Sequence, residues 1–198
     1  TFRATGRYHR VRRNRLTRLQ KLKVGRNRKT RRRGERIPTL EQFLDVVPRA
    51  AAVMLELKAE VGLLPLLREA LEGTASPDLD VYLLDFRPAM LEAAREVFPD
   101  GRLVWNVAFE QPGRGGAWSP EPRTLGLAAL DLGVQALNVM ACEAVDRTFV
   151  DAAHDAGLEV HVWTVNDPED ARRLAGLGGD GIITDFPGRI REALEGAR

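Results

Sequence analysis

The residues best placed to do chemistry begin with Leu55-Glu56-Leu57-Lys58, a carboxylate and an ammonium two positions apart in a β-rich run. Side chains alternate across a strand, so Glu56 and Lys58 share one face while Val53, Leu55 and Leu57 share the other. Two opposite charges ending a core strand read either as a solvated ion pair or as functional groups at the mouth of a parallel sheet. A second run, His161 to Asn166 (HVWTVN), sets His161, Trp163 and Val165 against Val162 and Thr164. Trp163 falls near the strand end, where it reads as a mouth-lining ring or as a core tryptophan between strand and helix. His161 lies deeper and reads as a satisfied core histidine, and His154, in the preceding helical segment, reads as exposed.

From residue 37 onward, short β-rich runs alternate with helical segments, the pattern of a parallel sheet with crossover helices. Six strands are predicted: Val53 to Leu57, Val81 to Leu84, Leu103 to Val107, Ala136 to Val139, Glu159 to Val165 and Gly181 to Thr184. Thr39 followed by Gln42 predicts a capping box, and Asn166, Pro168 and Glu169 place a cap, an early proline and an acid in order. No Gly-x-Gly-x-x-Gly opens a helix after a strand, and Gly113, Gly115 and Gly116 sit in a proline-rich loop, so a dinucleotide site has little support. The segment Gly113 to Arg123 reads as a surface loop, with Trp118 exposed unless it folds back over a pocket.

A chain of 198 residues, 44% of them hydrophobic, buries one sizeable core. Cys142 is the only cysteine, so no internal disulfide forms, no zinc spacing exists, and a free thiol fits a reducing interior. With no run of about 18 apolar residues and no apolar leader, the chain reads as soluble and cytoplasmic, without a membrane span. The net charge of +2 divides unevenly: residues 1–36 carry 16 Lys/Arg and one acid, Glu35, whereas the rest carry 14 and 27. Residues 1–36 therefore form a basic, partly irregular N-terminal segment, in which Leu16, Leu19 and Leu22 suggest a short helix face, and residues 37–198 form the folded portion. Such a density of Arg and Lys suits nucleic-acid phosphates or an anionic membrane surface. Without a groove-reading motif, a solvated segment is the better reading, and no nucleic-acid-binding residue is assigned.

Taken in order, Gly34 to Glu41 (GERIPTLE), the LELK strand, Val162 to Glu169 (VWTVNDPE) and Gly181 to Asp185 (GIITD) resemble the glycerophosphodiester phosphodiesterase family over about residues 34–197. The resemblance implies an α/β fold, a TIM-type (β/α) barrel left incomplete with six of the usual eight strands. It implies metal-assisted hydrolysis of small-molecule glycerophosphodiesters to glycerol phosphate and an alcohol. A divalent metal, Mg or Ca, would then be bound by Glu56, and Lys58 would act as the catalytic lysine that neutralises the substrate phosphate. Trp163 and Phe86 would lie beside the substrate, while Asn166 and Asp185 would be structural, a helix cap and a strand-end turn. A second chain, or self-association across the unpaired sheet edges, would supply the missing strands.

Several departures accompany the resemblance. The family's His-Arg-Gly segment, its His-Asp pair and the E-x-D metal motif that would bring two further ligands are absent. Thr1 to Val11 is similar to the stretch just after the His-Asp pair, which places the start of this chain past those motifs, and His9 matches a variable loop rather than a replacement histidine. Asp85 stands where the family has a small hydroxyl residue; an acid there either adds a metal ligand or weakens phosphate binding. The alternative to an enzyme is an inactive barrel fragment or a phosphate- or nucleic-acid-binding module.

Overall fold

The computed structural model describes residues 2–6, 8, 10–25, 34–48, 50–73, 79–113 and 115–196. Thr1, His9 and part of the basic run lie outside the described residues. The chain divides into two compact units, Thr1–Ala51 with Glu69–Asp78 and Ala52–Arg68 with Leu79–Arg198.

The first unit holds short helices α1 (Phe2–Thr5), α2 (Leu16–Leu19) and α3 (Leu40–Leu44). Lys23 and Arg36 form an antiparallel bridge, and the described Arg and Lys side chains of residues 10–25 are exposed. The capping box of α3 forms as the sequence predicts: Gln42 N–H donates to Thr39 Oγ1 at 3.2 Å and Thr39 N–H to Gln42 Oε1 at 3.0 Å.

The second unit is a single sheet of six parallel strands in sequence order. The strands are β1 (Val53–Glu56), β2 (Val81–Asp85), β3 (Arg102–Val107), β4 (Ala136–Met140), β5 (Glu159–Trp163) and β6 (Gly181–Ile182). Between and after them run α4 (Leu64–Glu72), which continues into the first unit's residues, α5 (Pro88–Val97), α6 (Leu125–Asp131), α7 (Arg147–Asp155), α8 (Pro168–Gly176) and α9 (Pro187–Glu195). Each predicted strand forms, within a few residues at its ends. The result is an incomplete (β/α) barrel in which no pairing joins β1 to β6.

Alternation sorts each strand into two faces. Leu83, Leu103, Leu137 and Val160 face the helices and are at most 2% exposed, packed in one cluster with Leu91 and Ala94 of α5, Ala129 of α6, Val150 of α7 and Leu174 of α8. Truncating such a residue, Leu91→Ala for example, costs about 2–5 kcal/mol. The opposite, concave face carries a smaller apolar group of Leu84, Val104 and Ala136 with Tyr82, followed toward the strand ends by Asn106, Asn138 and His161, all buried. Register places Asn106, Asn138, His161 and Gly181 side by side across β3 to β6. A Cβ on Gly181 would stand 2.7 Å from the His161 ring, so glycine makes room for that imidazole. Among the described residues no helix is long and apolar enough to cross a membrane.

The loop after β3 departs from a plain surface loop. Glu110 and Ser119 exchange two backbone bonds of 2.8 Å, and Trp118 turns back to meet Phe109 edge-on at 6.3 Å. Trp118 is thereby half-buried against the helix-side core, which is the folded-back alternative, against core rather than over a pocket.

At the N-terminal end of β6, Asp180 ties three elements together. Its Oδ2 accepts from Val160 N–H at 2.8 Å and meets His154 Nε2 at 2.9 Å, while its own N–H donates to Val160 O. Partial burial raises its carboxyl pKa, but the Val160 amide and the His154 contact outweigh that, and the group is held below its ordinary 3.8. A depressed carboxyl stabilises the fold above its ordinary value and loses that contribution as pH falls through the depressed one. The Tm of wild type should exceed that of Asp180→Asn at about pH 6, with the gap closing toward about pH 2; a gap independent of pH would refute this assignment.

Candidate functional site

β1 ends at Glu56, and the alternation read from the sequence holds: Val53 and Leu57 are buried, whereas Met54, Glu56 and Lys58 are exposed on the other face. Lys58 Nζ lies 2.7 Å from Glu56 Oε2, with side-chain exposures of 67% and 34%. A pair this exposed contributes at most about 1 kcal/mol to stability. Its position matters more, because both charges leave the C-terminal end of a parallel strand, where functional groups of such sheets collect.

At the next strand end, Asp85 belongs to the helix-facing set with Val81 and Leu83, and it is 4% exposed. Both carboxylate oxygens are taken by Arg87: Oδ1 by the backbone N–H at 2.7 Å and by Nε at 2.9 Å, Oδ2 by Nη2 at 2.7 Å. Buried on the helix-facing side, this acid is therefore engaged by Arg87 through both of its oxygens. The bond to Asp85, set against partial desolvation, raises the Arg87 guanidinium above its ordinary value.

Phe86 follows on the concave side of the strand end, exposed, and meets Trp163 edge-on at 5.8 Å with planes at 88°. Trp163 closes β5; its Nε1 donates to Asn138 O at 3.0 Å, which fixes the ring. Trp105 Nε1 donates to Phe86 O at 3.3 Å. The exits of β2 and β5 thus present an apolar corner in which Phe86 is exposed and Trp163 half-buried.

Asn166 is not the cap of α8. The cap is Asp167, whose Oδ1 accepts from Glu169 N–H at 2.8 Å and Asp170 N–H at 3.3 Å, with Pro168 in the first turn. Asn166 instead spans two loops: its Oδ1 accepts from Thr184 Oγ1 at 3.0 Å and Asp185 N–H at 2.9 Å, and its Nδ2 donates to Asp185 Oδ2 at 2.9 Å. Asp185 is indeed a strand-end residue of the β6 exit. The sequence signal for this tie was weak, since Asn166 and Asp167 are both good caps and only a long-range partner decides between them.

The described histidines lie away from the mouth. His154, in α7, pairs with Asp180 at the opposite end of the sheet, its side chain 39% exposed. His161 is buried in the concave face with Nε2 at 3.1 Å from Glu159 Oε2 and Tyr82 edge-on at 6.1 Å. Its Nδ1 and the neighbouring Asn138 Oδ1 have no partner among the described residues, so the core histidine is half satisfied there rather than fully so; Asn138 Nδ2 donates to Asn106 Oδ1 at 2.6 Å. Cys142 is a free, half-buried thiol whose pKa burial pushes up.

Glu56 is the carboxylate that the resemblance gives to a metal. Among the described residues no group of three or more His, Cys, Asp or Glu stands together so as to hold an ion. A hard divalent cation takes six or more oxygen ligands; one carboxylate already paired with Lys58 does not make that site. The described residues therefore do not fit a metal by themselves, and no chemical step is derived through one.

Six in-order parallel strands with helical crossovers, carrying charged and aromatic residues at their C-terminal ends, define a (β/α)-barrel protein of the kind that works at that face. The model of the glycerophosphoryl diester phosphodiesterase family matches residues 1–189, and the chain belongs to that family of phosphodiesterases. YhdW of Bacillus subtilis (strain 168), provisionally named a glycerophosphodiester phosphodiesterase, is 26% identical over 174 residues, 87% of this chain and 68% of that protein. A solved structure from Silicibacter pomeroyi DSS-3, provisionally named a glycerophosphoryl diester phosphodiesterase, is 26% identical. It superposes with a TM-score of 0.75, covering 91% of this chain and 68% of that one. The Oleispira antarctica phosphodiesterase, solved with its product sn-glycerol-3-phosphate, shares the fold with a TM-score of 0.79 at 23% identity, covering 98% and 76%.

Asn166→Ala removes three bonds joining the β5 and β6 exits, and its stability in urea should fall by about 1–3 kcal/mol. An unchanged midpoint would show that the tie contributes nothing to folding.

Proposed function

We propose that the chain acts on glycerophosphodiesters, hydrolysing them to glycerol phosphate and an alcohol, with the mouth residues binding and orienting the substrate. The observation that carries this reading is the gathering of the Glu56–Lys58 pair and the Phe86–Trp163 corner at the exits of one parallel sheet. Lys58 is a compact ammonium on a flexible stem, suited to neutralise a non-bridging phosphate oxygen. Glu56 holds that ammonium at the strand end. The exposed Phe86 and half-buried Trp163 suit the carbon side of a glycerol unit, as aromatic rings beside polyols do. The product held by the Oleispira antarctica relative is consistent with that substrate class. The free thiol of Cys142 agrees with a cytoplasmic setting.

A second reading, binding of phosphorylated ligands without turnover, is favoured by one observation: neither described histidine stands at the mouth, and general acid-base catalysis contributes about 10²–10⁴-fold. Release of glycerol phosphate from glycerophosphocholine, measured with magnesium or calcium, separates the two. Turnover by wild type that falls about 10²–10³-fold in Lys58→Ala supports hydrolysis. A folded protein that binds sn-glycerol 3-phosphate through Lys58 without turnover establishes the second reading, and loss of neither property in Lys58→Ala sinks both.

A further inference from the structure

The backbone that carries Lys58 is not free to place its side chain. Leu57 N–H donates to Leu84 O at 2.8 Å, and Lys58 N–H to Glu56 O at 3.0 Å. The carbonyls on either side of Lys58 are engaged from the neighbouring strand exit, because Arg87 Nη2 donates to Leu57 O and to Ala59 O, each at 3.0 Å. These two carbonyls flank Lys58 in sequence. The same Nη2 also meets Asp85 Oδ2, so its two hydrogens serve three acceptors, while Nε and the backbone N–H hold Oδ1.

We infer that Arg87, seated by the buried carboxylate of Asp85, is a positioning residue for Lys58: it fixes the Leu57–Ala59 turn so that the ammonium projects into the mouth. This rests on the reading of Lys58 under Proposed function. The planar guanidinium matters, because a fork can lie flat against a carboxylate and still reach two carbonyls, whereas a lysine presents a single tetrahedral ammonium. The buried Asp85 matters because Arg87 is the one partner of its charge among the described residues, which commits Arg87 to one orientation.

The test combines hydrogen exchange with ligand affinity. In Arg87→Ala the amides of Leu57, Lys58 and Ala59 should exchange about tenfold faster or more, while those of Leu137 and Val160 in the central strands keep their rates. Arg87→Lys should behave as Arg87→Ala at these amides. Affinity for sn-glycerol 3-phosphate should fall in Arg87→Ala, and the double variant with Lys58→Ala should bind no worse than Lys58→Ala alone, since one acts through the other. Unchanged exchange at residues 57–59, a uniform rise across all strands, or additive losses of affinity would overturn the inference. Exchange that rises as expected while Lys58→Ala leaves affinity intact would sink the functional reading and leave the fastening of the turn in place.

Discussion

Parallel pairing is the constraint on which the rest depends. Because β1 through β6 all run the same way and pair in sequence order, every strand exit opens on one side, and every return helix must cross back over the other face. Helix-facing positions therefore become apolar and buried, as Leu83, Leu103, Leu137 and Val160 are, while the concave face carries a smaller apolar group and buried polar side chains. Position along the strand then sets polarity. Leu84, Val104 and Ala136 pack low in the concavity, Asn106, Asn138 and His161 come next, and the charged and aromatic groups stand at the rim.

A rim made of loops needs fastening, since loop carbonyls and amides have no ladder to pair with. Two fastenings stand near the two ends of the sheet. Arg87 joins the exits of β1 and β2 through Leu57 O and Ala59 O, and Asn166 joins the exits of β5 and β6 through Thr184 and Asp185. Each is a planar group, a guanidinium that donates and an amide whose oxygen accepts, with its hydrogen-bonding atoms in fixed directions, which is what holding irregular backbone requires. The exposed Glu56–Lys58 pair depends on the first fastening, and the loop following Trp163 on the second.

Much of this was legible in the sequence. Six strands were readable because runs such as Val81 to Leu84 and Ala136 to Val139 bury both faces and stay apolar or β-branched, and the Glu56–Lys58 face followed from alternation alone. The same parity, counted from Leu84, places Asp85 on the helix side and Phe86 on the concave side, a signal sufficient to exclude Asp85 from the mouth. The role of Arg87 was not legible, because its acceptors on Leu57 and Ala59 lie about 30 residues away and are backbone atoms that carry no sequence signature. The cap of α8 fell one residue from the expected place for a related reason: Asn166 is withdrawn from capping by partners on β6. The unpaired Nδ1 of His161 likewise arises from tertiary placement between Glu159 and Gly181.

The central claim is that phosphodiester chemistry addresses the concave rim formed by the exits of β1, β2 and β5. The most direct measurement is a ¹H–¹⁵N spectral titration of the assigned chain with sn-glycerol 3-phosphate. The account predicts shifts concentrated at the Lys58 amide, Phe86 and the Trp163 indole N–H, with little change in α6 to α9. Shifts confined to the basic residues 10–25, with those three signals unmoved, would contradict it.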